Sequence, residues 1–124
     1  MLTISAVIRV KKGHEDTMRR ALLEVAGNVR VNEPGTIGFF VSQEQENPSV
    51  FTTYERFLDR AAMDAHNNSQ VVARFVGIAK PILDGDVDLV TGTEISRQGL
   101  TQETARSAEN APQAVDLYQN ETFH

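Results

Sequence analysis

The chain has 124 residues, 40% of them hydrophobic, no cysteine, no tryptophan and a formal charge of −5. That length supports one hydrophobic core. The absence of cysteine excludes a disulfide framework, a thiolate nucleophile and a cysteine-based zinc site. The acidic balance and scattered Lys and Arg, with only Arg9, Lys11 and Lys12 close together, argue against a nucleic-acid partner. No run approaches the roughly 18 apolar residues of a membrane span, and the start carries no basic-then-apolar leader, so the expected location is the cytoplasm.

Residues 2–10 alternate, with Leu2, Ile4, Ala6, Ile8 and Val10 on one face and Thr3, Ser5, Val7 and Arg9 on the other. Period two predicts a strand with one strongly apolar side. Lys12-Gly13-His14 reads as a turn, and Glu15 and Asp16 suit the positive end of a following helix. Met18, Ala21, Leu22, Val25, Ala26 and Val29 then recur at helical spacing until Pro34-Gly35 stops the pattern. A strand is expected over 36–45, with Ile37, Phe39 and Val41 on one face and Phe40 on the other. Asn47-Pro48-Ser49 turns it into a third strand over 50–57. Asp59 is a natural N-cap for a helix reaching about His66. Ser69 can cap another, carrying Val71, Val72, Phe75, Val76 and Ala79 and ending at Pro81. The last strand is expected over 86–95, with Val87, Leu89, Thr91, Thr93 and Ile95 together.

This order, β-α-β-β-α-β, predicts an α+β, ferredoxin-like fold with four strands under two helical segments. Phe40, Val50, Tyr54 and Val90 then share the uncovered sheet face and are too apolar as a set for water. A homodimer joined through that face, a dimeric α/β barrel, is the simplest solution. The expected domain is 1–96. Residues 97–124, polar and without an apolar stripe, read as a tail that is mobile or lies on the partner subunit, with Val115, Leu117, Tyr118 and Phe123 as anchors.

Three sets of residues resemble the antibiotic biosynthesis monooxygenase domain over roughly residues 2–95. They are Lys11-Lys12-Gly13-His14-Glu15, then Val31-Asn32-Glu33-Pro34-Gly35, then Phe51-x-x-Tyr54-Glu55-Arg56-Phe57-x-Asp59-x-x-Ala62-x-x-x-His66-x-x-Ser69. The resemblance implies a dimeric α+β barrel with a pocket between sheet and helices. It also implies, in many members, oxidation of quinols, anthrones or related polyphenols by O2 with neither metal nor flavin. Other members degrade haem, isomerise a phosphorylated sugar or have no known substrate, so the family fixes fold better than reaction. Phe57 stands where many members carry Trp, which argues against haem degradation. Gln70 stands near a position where relatives often carry a second His.

Among the residues, His66 is the candidate general base, since an imidazole titrates near pH 6.5. The plainer reading is a cation at a helix C-terminus. Glu55, on the strand face of Phe51, Thr53 and Phe57, is its candidate partner, against an ion pair with the neighbours of Arg56 or with Arg74. Phe39, Phe51, Phe57 and Phe75 are candidate walls for a flat aromatic substrate, against simple core. Asn67 and Asn68 are candidate donors to a substrate oxygen, against turn and cap roles beside Ser69. His14, His66 and His124 are too separated to suggest a metal site. The expected function is a cofactor-independent monooxygenase acting on a quinol-like or polyphenolic molecule. The alternatives are an isomerase or lyase acting on a small carbonyl compound, or a non-catalytic dimer binding a small molecule.

Overall fold

Alternation in the first strand decides which way the sheet faces. In the computed structural model, which describes residues 1–98, β1 (Leu2–Arg9) buries Ile4, Ala6 and Ile8 while Ser5, Val7 and Arg9 stay wetter. The chain continues through α1 (Glu15–Asn32), β2 (Thr36–Gln43), β3 (Val50–Phe57), α2 (Arg60–Asn67) and α3 (Gln70–Ala79). A 3-10 turn at Lys80–Ile82 and β4 (Asp88–Thr93) complete it. The strands form one sheet in the order β2-β3-β1-β4 with every neighbouring pair antiparallel. That is the expected βαββαβ ferredoxin-like arrangement, with the second crossover helix split in two.

Local chemistry sets the joints. Gly13 takes a positive φ of 96° in the turn before α1, a backbone shape that other residues adopt at a cost. Asp59 caps α2 by accepting from the Ala62 amide at 2.9 Å, and Ser69 caps α3 by accepting from the Val72 amide at 3.2 Å. Gly35 lets α2 settle on the start of β2, because a Cβ there would meet the Ala62 Cβ at 2.7 Å. Two strand ends differ from expectation. β2 stops at Gln43, where the Glu44 amide closes the hairpin on the Val50 carbonyl at 2.9 Å. β4 covers only Asp88–Thr93, so Ile95 lies outside it. An irregularity between Thr36 and Gly38 also turns Ile37 outward, away from the face of Phe39 and Val41.

The helix-covered face holds two packed clusters. One joins Ile8, Val10, Met18, Leu22, Phe51 and Ile82; the other joins Ile4, Phe57 and Met63. Full burial of side chains such as Phe51 and Phe57 contributes about 1.5–3 kcal/mol each relative to exposure. Met1–Glu94 is one structural unit; Ile95–Gln98, which follow it, form neither helix nor strand. Most of the expected tail, including Val115, Leu117, Tyr118, Phe123 and His124, lies outside the described residues. Among the described residues, no helix is long and apolar enough to cross a membrane.

Candidate active site

Strand alternation puts Thr53 and Glu55 of β3 on the helix side of the sheet. There the carboxylate sits opposite Ile4 of β1 and Phe39 of β2. A carboxylate among such neighbours is costly unless its oxygens are bonded. One is held by the Thr53 hydroxyl, which donates to Glu55 Oε2 at 2.8 Å. The other, Oε1, lies 3.3 Å from Nε2 of His66.

His66 reaches this point because α2 presents Met63 and His66, one helical turn apart, to the sheet. The Ser69 hydroxyl donates to the His66 carbonyl at 2.8 Å, so the break between α2 and α3 fixes the end of the turn bearing the imidazole. The side chain is 4% exposed, with the rings of Phe57 and Phe39 centred 5.3 Å and 5.6 Å away.

A third group completes the site. Glu33 is the C-cap of α1, out of the helical conformation (φ −125°, ψ 76°) before Pro34, and its Oε1 lies 2.7 Å from His66 Nδ1. Thr36 donates its hydroxyl to Glu33 Oε1 and Asn28 donates its amide to Glu33 Oε2, each at 2.8 Å. Asn32 in turn donates to Asn28 Oδ1 at 2.8 Å. The result is a buried line, Glu33–His66–Glu55, in which both imidazole nitrogens face a carboxylate.

That geometry selects a protonation state. A neutral imidazole donates from one nitrogen only, so one carboxylate would face a lone pair; the imidazolium donates to both. Burial is the largest single influence on the ring and lowers its pKa. The hydrogen bonds and charges of Glu55 and Glu33 together outweigh that, leaving the pKa raised above the ordinary histidine value. Both ring nitrogens of His66 are thus engaged by carboxylates, where the sequence alone suggests a free imidazole.

The line ends in a cavity of about 350 Å³ between sheet and helices, within the usual range for small-molecule sites. Ile4, Ala6 and Ile8 of β1, Leu22 and Val25 of α1, and Val72 and Val76 of α3 supply apolar wall, while Thr53, Glu55 and His66 supply the polar end. Of the expected aromatic walls, Phe39 and Phe75 line the cavity. Phe51 and Phe57 do not: Phe51 is sealed in the larger core cluster, and Phe57 is sealed beneath His66 with Ile4 and Met63. Asn68 is exposed at the end of α2, its amide bonded to the Asp64 carbonyl, and its neighbour Asn67 lines the cavity instead. The expected ion-pair rivals are accounted for elsewhere. Arg74 pairs with Glu24 at 2.7 Å, and Arg56 makes two bonds to Glu94, each at 3.0 Å. Among the described residues, no group of three or more His, Cys, Asp or Glu is placed to hold a metal ion.

Glu33 carries a signal that could have been read. A carboxylate at a helix C-terminus opposes the helix dipole, so its presence there calls for a local cation or donors. Thr36, three residues on, is one of those donors, but Asn28 and above all His66 become neighbours only through folding.

The family model described as antibiotic biosynthesis monooxygenase matches residues 1–77. The chain belongs to this family. Several solved structures share its fold. One, a crystal structure of an antibiotic biosynthesis monooxygenase, is 24% identical with a TM-score of 0.71, covering 77% of this chain and 100% of its own. A Nitrosomonas europaea protein given the same family name is 18% identical with a TM-score of 0.71, again covering 77% of this chain and 100% of its own. A Deinococcus radiodurans protein given that name is 19% identical with a TM-score of 0.72, covering 82% of this chain and 99% of its own. Identities this low establish the fold and leave the reaction to be argued from this chain's residues. No curated protein matches the chain.

Proposed function

We propose that the protein is a monooxygenase that uses O2 to oxidise a quinol-like or polyphenolic small molecule, without a resident metal or flavin. The observation that carries this reading is the Glu55 carboxylate, 3.3 Å from the His66 imidazole, at the polar end of an otherwise apolar cavity. An aromatic ring fits the apolar walls, and its hydroxyl finds an acceptor only at that end. Phe39 and Phe75 are the wall aromatics.

Proton and electron movements support oxidation over other proton-transfer chemistry. A resting phenol is a far weaker acid than a carboxylic acid, a mismatch that opposes its simple deprotonation by a carboxylate. The mismatch collapses if the proton leaves as an electron passes to O2, because a phenol that has lost an electron is a far stronger acid. The ring carbon then gains one oxygen atom and the other leaves as water. A hydroquinone plus O2 gives a hydroxyquinone plus H2O, with every electron supplied by the substrate. An isomerase or lyase at the same site would ask Glu55 to remove a carbon-bound proton with no electron loss to help.

Two copies pair through the open sheet faces, where Phe40 and Tyr54 stack with ring centres 6.3 Å apart beside exposed Val90.

Oxygen uptake by the purified protein with a panel of hydroquinones and anthrones, no metal or flavin added, tests the reaction. Uptake is expected, with Glu55→Gln slower by about 100-fold or more. Turnover of a carbonyl substrate without oxygen consumption would replace this reading with the isomerase.

A further inference from the structure

A second cavity, of about 190 Å³, adjoins the first. Ile8, Phe75, Val76 and Val87 wall both, so the two are compartments of one site divided by those side chains. Their chemistry differs. Thr53, Glu55, His66, Asn67 and Thr91, which can bond a substrate hydroxyl, all border the first compartment, whereas, among the described residues, Lys80 is the one polar residue bordering the second.

The second compartment is completed by Ala79, Lys80 and Leu83. Ala79 and Lys80 lie one helical turn beyond Phe75 and Val76 on α3, so this space extends toward the C-terminal end of that helix, away from Asn67 at the end of α2. Lys80 is exposed, which leaves its aliphatic stem for the wall and its ammonium for water. A polar substituent entering here would lose its water without a partner, whereas a hydrocarbon loses nothing.

We propose, resting on the quinol reading of the first compartment, that the preferred ligand is a dihydroxylated ring bearing a hydrocarbon side chain. The ring sits against Glu55 and His66, and the chain passes between Phe75 and Val87 into the second compartment. A flat polycycle without a chain fills only the first.

Anaerobic calorimetric titration of the full chain with hydroquinone and its 2-methyl, 2-propyl and 2-pentyl derivatives reads the effect directly. Affinity is expected to rise roughly two- to fourfold per methylene until the space is filled. Leu83→Phe and Ala79→Leu each alter a residue bordering only the second compartment. In either, the gain per methylene should vanish while the affinity for unsubstituted hydroquinone stays within about twofold of the native value. A flat series in the native protein overturns the proposal, as do gains that survive in a folded variant of either kind. Oxygen uptake with the same compounds keeps the two readings apart. Methylene gains without uptake support the chain compartment and count against the oxygenase; uptake without gains does the reverse.

Discussion

On the helix-covered face of the sheet, Glu55 and His66 are buried beside a partly buried Glu33; on the opposite face, Phe40, Tyr54 and Val90 lie open, with Val90 65% exposed. Each face breaks the usual burial rule in its own direction. The inner face takes polar groups out of water but bonds every one: among the described residues, no buried side-chain nitrogen or oxygen lacks a partner. The outer face leaves apolar groups wet and carries the ion pairs Arg9–Asp88 at 2.9 Å and Arg56–Glu94 at 3.0 Å, the second the less exposed. The difference teaches where to look for chemistry and where for company. The bonded, buried charge beside the cavity is where the proposed reaction is sited, and the exposed stacked aromatics are where the proposed second copy docks.

The most damaging way to break the inner face is His66→Ala. It leaves Glu33 and Glu55 buried without the cation between them, and breaking a buried ion pair costs about 3–5 kcal/mol. Denaturant unfolding checks this; a loss under 1 kcal/mol means the carboxylates are not held by the ring. The outer face is tested by Phe40→Glu with Tyr54→Glu. Sedimentation should show the native protein as a dimer and the double variant as a monomer, a weakening of at least about 100-fold, or roughly 2.7 kcal/mol. The unfolding midpoint of the isolated subunit should hardly move. A dimer that survives both charges does not meet through this face.

A gentler change sharpens the comparison. Glu33→Gln keeps the shape of the line but removes one charge, at an expected cost of about 1.5–3 kcal/mol. It should also lower the pKa of His66, since Glu33 is one of the two groups holding it up. The smallest effect is on pH dependence. The folded pKa of His66 is raised above the unfolded value of about 6.5, so its contribution to stability is complete below pH 6.5 and is lost as pH climbs through the folded pKa. Thermal midpoints should therefore decline as pH rises above 6.5 in the native protein, and less steeply in Glu33→Gln.

The sheet was legible in the chain because alternation assigns faces without knowledge of the partners. Ile4, Ala6 and Ile8 fell inward and Tyr54 outward as period two requires. The helix starts were legible too, since Asp59 and Ser69 act within three residues of themselves. Glu55 and His66 could be chosen because the strand face and the helix face each follow from local pattern. What local pattern cannot say is what lies across the gap. Phe39, Phe51 and Phe57 share a strand face with one another's neighbours, but where α2 docks seals Phe57 and leaves Phe39 at the cavity. Glu33, 33 residues before His66, meets it only because Gly35 admits α2. The raised pKa of His66 depends on that unseen contact, which is why the sequence pointed to a free base while the fold sets both ring nitrogens against carboxylates.

Nitrogen-15 NMR of the histidine side chains, followed through a pH titration, tests the central claim most directly. The account predicts that His66 shows both ring nitrogens protonated at pH 7, with a midpoint above the ordinary histidine value that drops in Glu33→Gln. A single-tautomer neutral ring at pH 7, unmoved by that substitution, would contradict it.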